Sequence, residues 1–326
     1  MVRDAVLAAL RTTQGEMSGE ELSRRLGVSR AAIWKAVNTL RKDGYDIRGQ
    51  SSRGYQLISC PDLLNAEELR QPGRVVGCEV LCLDSIDSTN DECKRLAMSE
   101  APVGLAVTAD AQIGGKGRRG RSFQSLAGKG LYLSVLLRPQ VPLETVSQLT
   151  AWTAVAVCRA IEQVSDIHPD IKWPNDVLVD GKKLCGILTE LGLEAETGAL
   201  SYVVVGMGTN VSQTRQDFGP ELENIATSLS ILGAHVQRRD LAQALLRELD
   251  NMNAAFPQDR EGYLAEYRRR CVTLIKPVRL MEPDRERTAT ALDIEDDFSL
   301  RVRLPDGREE MISSGEVSVR GLLGYI

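Results

Sequence analysis

Gly114-Gly115-Lys116-Gly117-Arg118-Arg119-Gly120-Arg121 is the run that decides how the middle of the chain is read. Its eight residues hold four glycines and four cations, with no acid and no apolar anchor. Such a run buries nothing, and its glycines maximise backbone freedom, so in isolation it is a mobile loop. Apolar segments flank it closely, residues 103–107 before it and 131–137 after it, and both read as strands. One reading is a solvated basic loop, the common fate of a charge run. The other is a loop that closes over an anion. Glycines that let backbone approach a ligand, alternating with arginines that pair with phosphate, favour the second. The spacing is neither a Walker loop nor a dinucleotide fingerprint.

Outward from that run, the chain has room for two or three domains in its 326 residues. With 43% hydrophobic and 26% charged residues, its composition is that of a globular protein with a substantial core. The net charge of −5 argues against a chain coated in nucleic acid throughout, but the charge is uneven. Residues 1–60 carry ten Lys/Arg against six acids, which is +4 and leaves −9 for the remainder. A basic module on an acidic body is the pattern of a nucleic-acid-binding attachment. Seven cysteines at 60, 78, 82, 93, 158, 185 and 271 lack any C-x-x-C spacing and read as reduced, mostly buried residues of a cytoplasmic protein. The start is not that of a signal peptide, and no segment is long enough to span a membrane. His168 and His235 are the only histidines, which argues against a His-rich metal site or a Ser-His-Asp triad.

In chain order, residues 4–11 form a short apolar helix. Ser18-Gly19-Glu20-Glu21 is a capping box opening a second helix, with Leu22 and Leu26 inside and Gly27 as its stop. Ser29 caps a third, over 30–42. Ile33, Val37 and Leu40 form its inner stripe, leaving Arg30, Ala31, Trp34, Lys35 and Asn38 on other faces. The pair fits helix-turn-helix geometry, and a hairpin over 45–58 with Arg53 in its tip is a wing. The alternative is a three-helix interaction module, but the wing and the +4 charge favour DNA. Cys60-Pro61 marks the boundary.

Residues 79–83 read as a strand, and Asp87-Ser88-Thr89-Asn90 leads into a helix through Leu96, with Thr89 and Glu92 as a second capping box. Such a junction gathers hydroxyls, an amide and free N–H groups, either for capping alone or for a ligand. Gln112 precedes the glycine loop. Residues 131–138 read as an alternating strand and 144–164 as one core helix. In Lys172-Trp173-Pro174-Asn175-Asp176, Pro174 keeps Trp173 extended. Asp180-Gly181 is a two-residue hairpin turn that brings Asp176 and Lys183 to one face, as a surface ion pair or as a charge pair aimed into a pocket. Residues 200–205 form a buried strand ending in Gly206-Met207-Gly208-Thr209-Asn210, a tight turn or an opening for a ligand. From Cys271 the pattern becomes short strands, with turns at Glu282-Pro283-Asp284 and Pro305-Asp306-Gly307.

Together these motifs, with Lys183-Leu184-Cys185-Gly186-Ile187-Leu188 and Ser314-Gly315-Glu316-Val317-Ser318, resemble the bifunctional biotin–protein ligases that also repress biotin operons. The resemblance covers the whole chain. It implies an α+β multidomain fold: a winged helix-turn-helix over 1–60, a central α/β ligase domain of class II synthetase type over 61–270, and an SH3-like β-barrel over 271–326. It implies biotin contacts from Ser88, Thr89, Asn90, Gln112, Lys116, Gly117, Arg118 and Lys183. It places ATP against Arg118, Arg119, Arg121, Phe123, Asn175, Asp176 and Asn210, with Mg²⁺ on Asp176. Lys183, Arg118 and Asp176 are the implied catalytic residues. Operator DNA would meet Arg30, Ala31, Ala32, Trp34, Lys35, Asn38 and Arg53. A biotin carboxyl carrier protein is the implied acceptor, and a homodimer the implied adenylate-bound state. Two positions depart from the pattern: Lys116 stands where the family usually has arginine, and Phe123 where a tryptophan often stacks on adenine. A lipoate ligase-like enzyme and a non-enzymatic biotin sensor are the rival readings.

Overall fold

The structure, a computed structural model, describes residues 2–13, 15–42, 44–50, 54–59, 62–281, 285–313 and 318–321. They fall into two compact units, Met1–Leu63 and Leu64–Ile326.

In the first unit, helices α1 (Val2–Arg11), α2 (Gly19–Leu26) and α3 (Arg30–Lys42) precede the hairpin β1 (Asp46–Gln50) and β2 (Gly54–Ser59). Ser18 Oγ accepts from Glu21 N at 3.0 Å to start α2, and Gly27 ends it in the left-handed region at φ 66°. Ile33, Val37 and Leu40 are fully buried with α1 residues Val6 and Leu10, so the helical spacing does build the core. Met17 exchanges backbone hydrogen bonds with Tyr55, and a Cβ on Gly54 would lie 2.3 Å from Met17 O, which restricts that position to glycine. Arg41 reaches across to the Ile47 carbonyl at 2.7 Å, fastening the hairpin to α3. Arg53, Cys60 and Pro61 lie outside the described residues.

The second unit runs α4 (Ala66–Leu69), β3 (Val80–Ile86), α5 (Thr89–Ala97), β4 (Ala106–Gln112), β5 (Gly130–Leu137), α6 (Leu143–Val146), α7 (Leu149–Val164), β6 (Asp170–Lys172), β7 (Asp176–Val179), β8 (Lys182–Leu193), β9 (Leu200–Asn210), α8 (Arg215–Leu222), α9 (Arg238–Ala255) and α10 (Arg260–Arg270). The seven strands form one sheet in the order β3-β4-β5-β9-β8-β7-β6, in which only β3–β4 is parallel.

Three expectations give way here. Strand β5 does not alternate: all eight residues are buried, because α5 covers one face of the sheet and α7 with α9 covers the other. The helix expected over 144–164 is divided into α6 and α7 at Ser147 and Gln148. Gly206 to Asn210 is no turn, since β9 continues through it, paired to β5 and β8.

Strands β10 (Pro277–Met281), β11 (Glu286–Ile294), β12 (Leu300–Arg303), β13 (Glu309–Ile312) and β14 (Ser318–Gly321) follow as an antiparallel sheet, β13-β12-β11-β10-β14. Among the described residues this sheet is open rather than closed into a barrel. The turn expected at 305–307 is present, with Gly307 at φ 87°; Glu282-Pro283-Asp284 and Ser314-Gly315-Glu316-Val317 lie outside the described residues. The sheet shares its core with the α7 and α10 helices: Phe298 packs edge-on against Tyr267, and its carbonyl accepts from Trp173 Nε1 at 3.0 Å. Residue Trp173 is thereby anchored beside Asn175 and Asp176. Among the described residues, no helix is long and apolar enough to cross a membrane.

Candidate functional site

The junction from β3 into α5 builds one wall. Ser88, Thr89 and Asn90 are all buried, although three adjacent polar side chains would ordinarily be solvated. Their burial is compensated by hydrogen bonds. Thr89 N donates to Gln112 Oε1 at 2.9 Å, and its hydroxyl lies 3.1 Å from the same oxygen. The expected Thr89–Glu92 capping box is therefore not formed: Ser88 is the N-cap, and the Thr89 hydroxyl is drawn to Gln112 and Ser134 instead. Gln112 Nε2 donates to Ser125 Oγ at 2.8 Å. Asn90 Nδ2 donates to Glu190 Oε2 at 2.7 Å and to the Leu188 carbonyl at 3.3 Å, and Asn90 Oδ1 accepts from Ser134 Oγ at 2.6 Å.

The hairpin of β7 and β8 builds the opposite wall. Asp180 and Gly181 take φ of 48° and 75°, the left-handed pair that a two-residue turn matched to strand twist requires. Leu178 faces Lys183 as expected, but a register shift after Val177 sets Asp176 opposite Gly186. Even so, Lys183 Nζ lies 2.6 Å from Asp176 Oδ1. Asn175 Nδ2 donates to Ile187 O at 2.9 Å, which leaves Asn175 Oδ1 to accept from Arg118 Nη1 at 3.1 Å.

The glycine loop lies over the gap between the walls. Backbone bonds order it: Gly114 N to Asp87 O at 2.9 Å, Phe123 N to Gly115 O at 2.8 Å, and Gly117 N to Arg121 O at 2.7 Å. Gly115 is sterically dictated, since a Cβ there would sit 2.3 Å from Phe123 O. Lys116 Nζ pairs with Asp91 Oδ2 on α5 at 2.6 Å. Burial pulls the Arg118 guanidinium below its ordinary proton affinity, against the opposing pull of the Asp176 charge.

All eight residues predicted to hold biotin line one cleft of about 480 Å³. A second cavity of about 770 Å³ adjoins it, walled by Arg121, Asn210, Gln213 and Phe218. Phe123 and Lys183 line both. Glycines 206 and 208 hold the floor open: a Cβ at Gly206 would lie 2.0 Å from Asn90 Oδ1, and one at Gly208 would lie 2.6 Å from the Phe123 ring.

Of the residues predicted for the nucleotide, Arg118 and Asn175 line the first cleft, and Arg121, Phe123 and Asn210 the second. Arg119 lines neither; its guanidinium donates to the Met281 carbonyl at 2.5 Å. Asp176 also lines neither, although its partner Lys183 lines both. Asn210 is committed on both sides, donating to Thr227 O at 2.9 Å and accepting from Gln213 Nε2 at 3.0 Å. Cys185 is fully buried on β8, where burial pushes its thiol up to about 12. Among the described residues no three His, Cys, Asp or Glu side chains gather as a metal site.

Sequence reasoning missed Ser134, Ser125, Glu190 and Gln213. Ser134 carried a signal, as a small hydroxyl within the apolar run from Leu131 to Leu137. On the first unit, Arg30, Ala31, Trp34 and Lys35 are exposed along α3, with Trp34 at 62%, while Ala32 and Asn38 are half-buried.

Comparison with known proteins agrees across these parts. Residues 82–210 match the biotin/lipoate A/B protein ligase family, residues 2–56 an HTH domain, and residues 276–320 a biotin protein ligase C terminal domain. The chain is 42% identical over 233 residues to the bifunctional ligase/repressor BirA of Bacillus subtilis, covering 71% of each chain. It is 32% identical over 304 residues to BirA of Escherichia coli, covering 93% of this chain and 92% of that one. Its fold is similar to biotin protein ligase from Aquifex aeolicus in complex with biotin and ATP, with a TM-score of 0.63 and 28% identity, covering 74% of this chain and 98% of that one.

Proposed function

The chain belongs to the bifunctional biotin ligase/repressor family, and from that premise we propose how its residues divide the work. It is an ATP-dependent biotin ligase: biotin and ATP give biotinyl-5′-AMP, and biotin then passes to a lysine of a biotin carboxyl carrier protein. Its helix-turn-helix unit represses biotin-synthesis genes at operator DNA.

Biotin's carboxylate is ionised at neutral pH, so its attack on the ATP α-phosphate needs no general base. It needs crowded negative charge to be neutralised as two anions meet. The observation that carries this assignment is the Lys183 ammonium on the wall common to both cavities. Biotin takes the cleft of Ser88, Thr89, Asn90 and Gln112, and the nucleotide takes the cavity of Arg121, Phe123 and Asn210. Arg118, held by Asn175, closes over the phosphates. Asp176 holds the Lys183 ammonium in place and, in the second step, orients or deprotonates the acceptor amine. Phe123 offers adenine one ring, against two in the tryptophan usual in the family.

Mg²⁺ fits as an ion brought in with the nucleotide, since one or two carboxylates together with substrate phosphates commonly hold it, and Asp176 is the carboxylate at hand. Bound there, it would supply further positive charge at the phosphates.

We further read the C-terminal sheet as SH3-like, with domain limits at 60 and 270, the adenylate-bound protein as a homodimer, and its location as cytoplasmic. The match to a biotin protein ligase C terminal domain supports the first of these.

Pyrophosphate release from ATP tests the reaction. Release with biotin but not with lipoate supports this assignment. Release with lipoate alone would favour the lipoate ligase-like reading, and release with neither would favour a biotin sensor.

A further inference from the structure

Asn90 has two amide hydrogens, and both are spent on partners within the chain, Glu190 Oε2 and the Leu188 carbonyl. Its orientation follows from Glu190, because a carboxylate only accepts, so the amide must turn its nitrogen towards it. Asn90 Oδ1 is then directed to Ser134, whose hydroxyl donates to it at 2.6 Å. With that proton used, Ser134 Oγ accepts from the Thr89 hydroxyl, 2.7 Å away. Gln112 Oε1, which receives the Thr89 backbone N–H, lies 3.1 Å from the same hydroxyl, the longer of its two contacts, so the single Thr89 hydroxyl hydrogen goes to Ser134. Hydrogens therefore run in one direction, from Thr89 to Ser134 to Asn90 to Glu190. Thr89 and Asn90 both line the cleft, and what they have left to offer a ligand there is lone pairs.

The other oxygen of Glu190 is held by Lys94 Nζ at 2.7 Å, and Lys94 also pairs with Asp91 at 2.8 Å. The carboxylate is thus shared between a cation and an amide, one oxygen to each.

We propose that Glu190 is a positioning residue that sets the hydrogen-bond polarity of the biotin cleft, making its Thr89–Asn90 corner an acceptor for the N–H groups of a cyclic urea. This rests on the biotin assignment above and adds to it why the corner suits a urea rather than a dithiolane, which has no N–H to give. Glu190 touches no ligand and acts through Asn90.

The arrangement makes a substitution of nearly equal shape informative. In Glu190→Gln, the Lys94 ammonium claims the one remaining oxygen, so the new NH₂ faces Asn90. Facing that NH₂, Asn90 gives up its 3.3 Å bond to the Leu188 carbonyl and turns its oxygen towards residue 190 and its NH₂ towards Ser134 and the cleft, reversing the corner. Removing Lys94 frees the glutamine oxygen to accept from Asn90 again. Lys94→Met combined with Glu190→Gln therefore restores the original polarity.

The experiment is a double-mutant cycle on the full chain, reading the biotin KM, the ATP KM and kcat for adenylate formation, with a thermal melt of each protein. Glu190→Gln should raise the biotin KM about tenfold or more, the scale of one mispaired buried hydrogen bond, with the ATP KM unchanged. Lys94→Met and the double variant should both stay within about threefold of the unmodified chain, the coupling therefore being of opposite sign to the single effect. A double variant as impaired as Glu190→Gln would overturn the proposal, as would a Glu190→Gln protein that binds biotin normally. If Glu190→Gln does not fold, the double variant still decides by matching or failing to match Lys94→Met. No adenylate from the unmodified chain would instead overturn the biotin assignment itself.

Discussion

Lys183 Nζ lies 2.6 Å from Asp176 Oδ1 across the β7–β8 hairpin, at the wall shared by two adjoining cavities. A surface ion pair of that length contributes little to stability. Both side chains are largely shielded here, at 27% and 15% exposed, and a rigid hairpin holds them, so the pair keeps a cation fixed where the two cavities meet. Preorganised charge of this kind costs no reorganisation when the reaction occurs.

Arg118→Gly is expected to loosen retention of biotinyl-adenylate more than it slows its formation. Arg118 reaches from the loop to Asn175 on the far wall, and charge-assisted bonds lengthen residence on an anion. The check is the adenylate dissociation rate together with stray biotinylation of bystander lysines. Rates equal to those of the unmodified chain would refute a closing role for the loop.

Gly206→Ala and Gly208→Ala should separate the two substrates. The first added methyl meets the Asn90 amide, and the second meets the Phe123 ring. Overpacking of this kind costs about 1–3 kcal/mol, which predicts a biotin KM raised by Gly206→Ala and an ATP KM raised more by Gly208→Ala. Steady-state kinetics with each substrate varied in turn would show the split, and equal effects on both would refute it.

How much of this could be read in advance depended on whether the cause was local. The helix-turn-helix was legible because Ser18, Gly27 and the Ile33-Val37-Leu40 stripe all act within a few residues of themselves. The Lys183–Asp176 pair was legible because Asp180-Gly181 sets the turn of its own hairpin and the Leu178–Lys183 pairing, although not the register shift after Val177. Glu190 was not, since its partners Asn90 and Lys94 are 100 and 96 positions away, and nothing near Glu190 signals them. Strand β5 misled because the residues on its two faces answer to different helices. Gly206 and Gly208 suggested a turn, whereas the cause is Asn90 and Phe123 pressing on an extended strand.

Arg270 should govern stability in acid. It is 7% exposed and is held by Glu162 at 2.8 Å and Glu266 at 2.8 Å, tying α10 to α7. The Arg270 hydrogen bonds hold Glu162 below its ordinary value of 4.5. For Glu266 burial pushes upward, but hydrogen bonds from Arg159 and Arg270 outweigh it, and it too lies below 4.5. Carboxylates lowered on folding stabilise above their unfolded value and lose that contribution as pH falls through the folded one. Arg270→Met should therefore cost about 3 kcal/mol at neutral pH, by stranding buried charge, and show a shallower loss of Tm below pH 4.5. An unchanged acid slope would contradict the pairing.

Arg30→Ala, at the exposed start of α3, should weaken operator binding and leave biotinylation intact. One winged helix makes few phosphate contacts, and the acidic remainder of the chain opposes approach to the duplex. Binding is therefore expected to be weak for the monomer and much tighter for an adenylate-loaded dimer on a palindrome, with a steep dependence on salt. Neutralising residues 114–121 should weaken DNA binding without touching the hairpin. A mobility-shift titration on the protein's own promoter region, with and without biotin plus ATP, distinguishes these states. Equal binding in both would remove the coupling, and no binding in either would reduce the unit to a protein-interaction module.

The most direct test of the charge-neutralisation account is single-turnover adenylation by Lys183→Met, with the circular dichroism spectrum and Tm recorded alongside. Removing one preorganised charge from developing anions typically costs about 2.7–4 kcal/mol, so the rate of biotinyl-adenylate formation should fall by about 10²–10³ while the protein stays folded. Adenylation by a folded Lys183→Met protein at close to the unmodified rate would contradict the account.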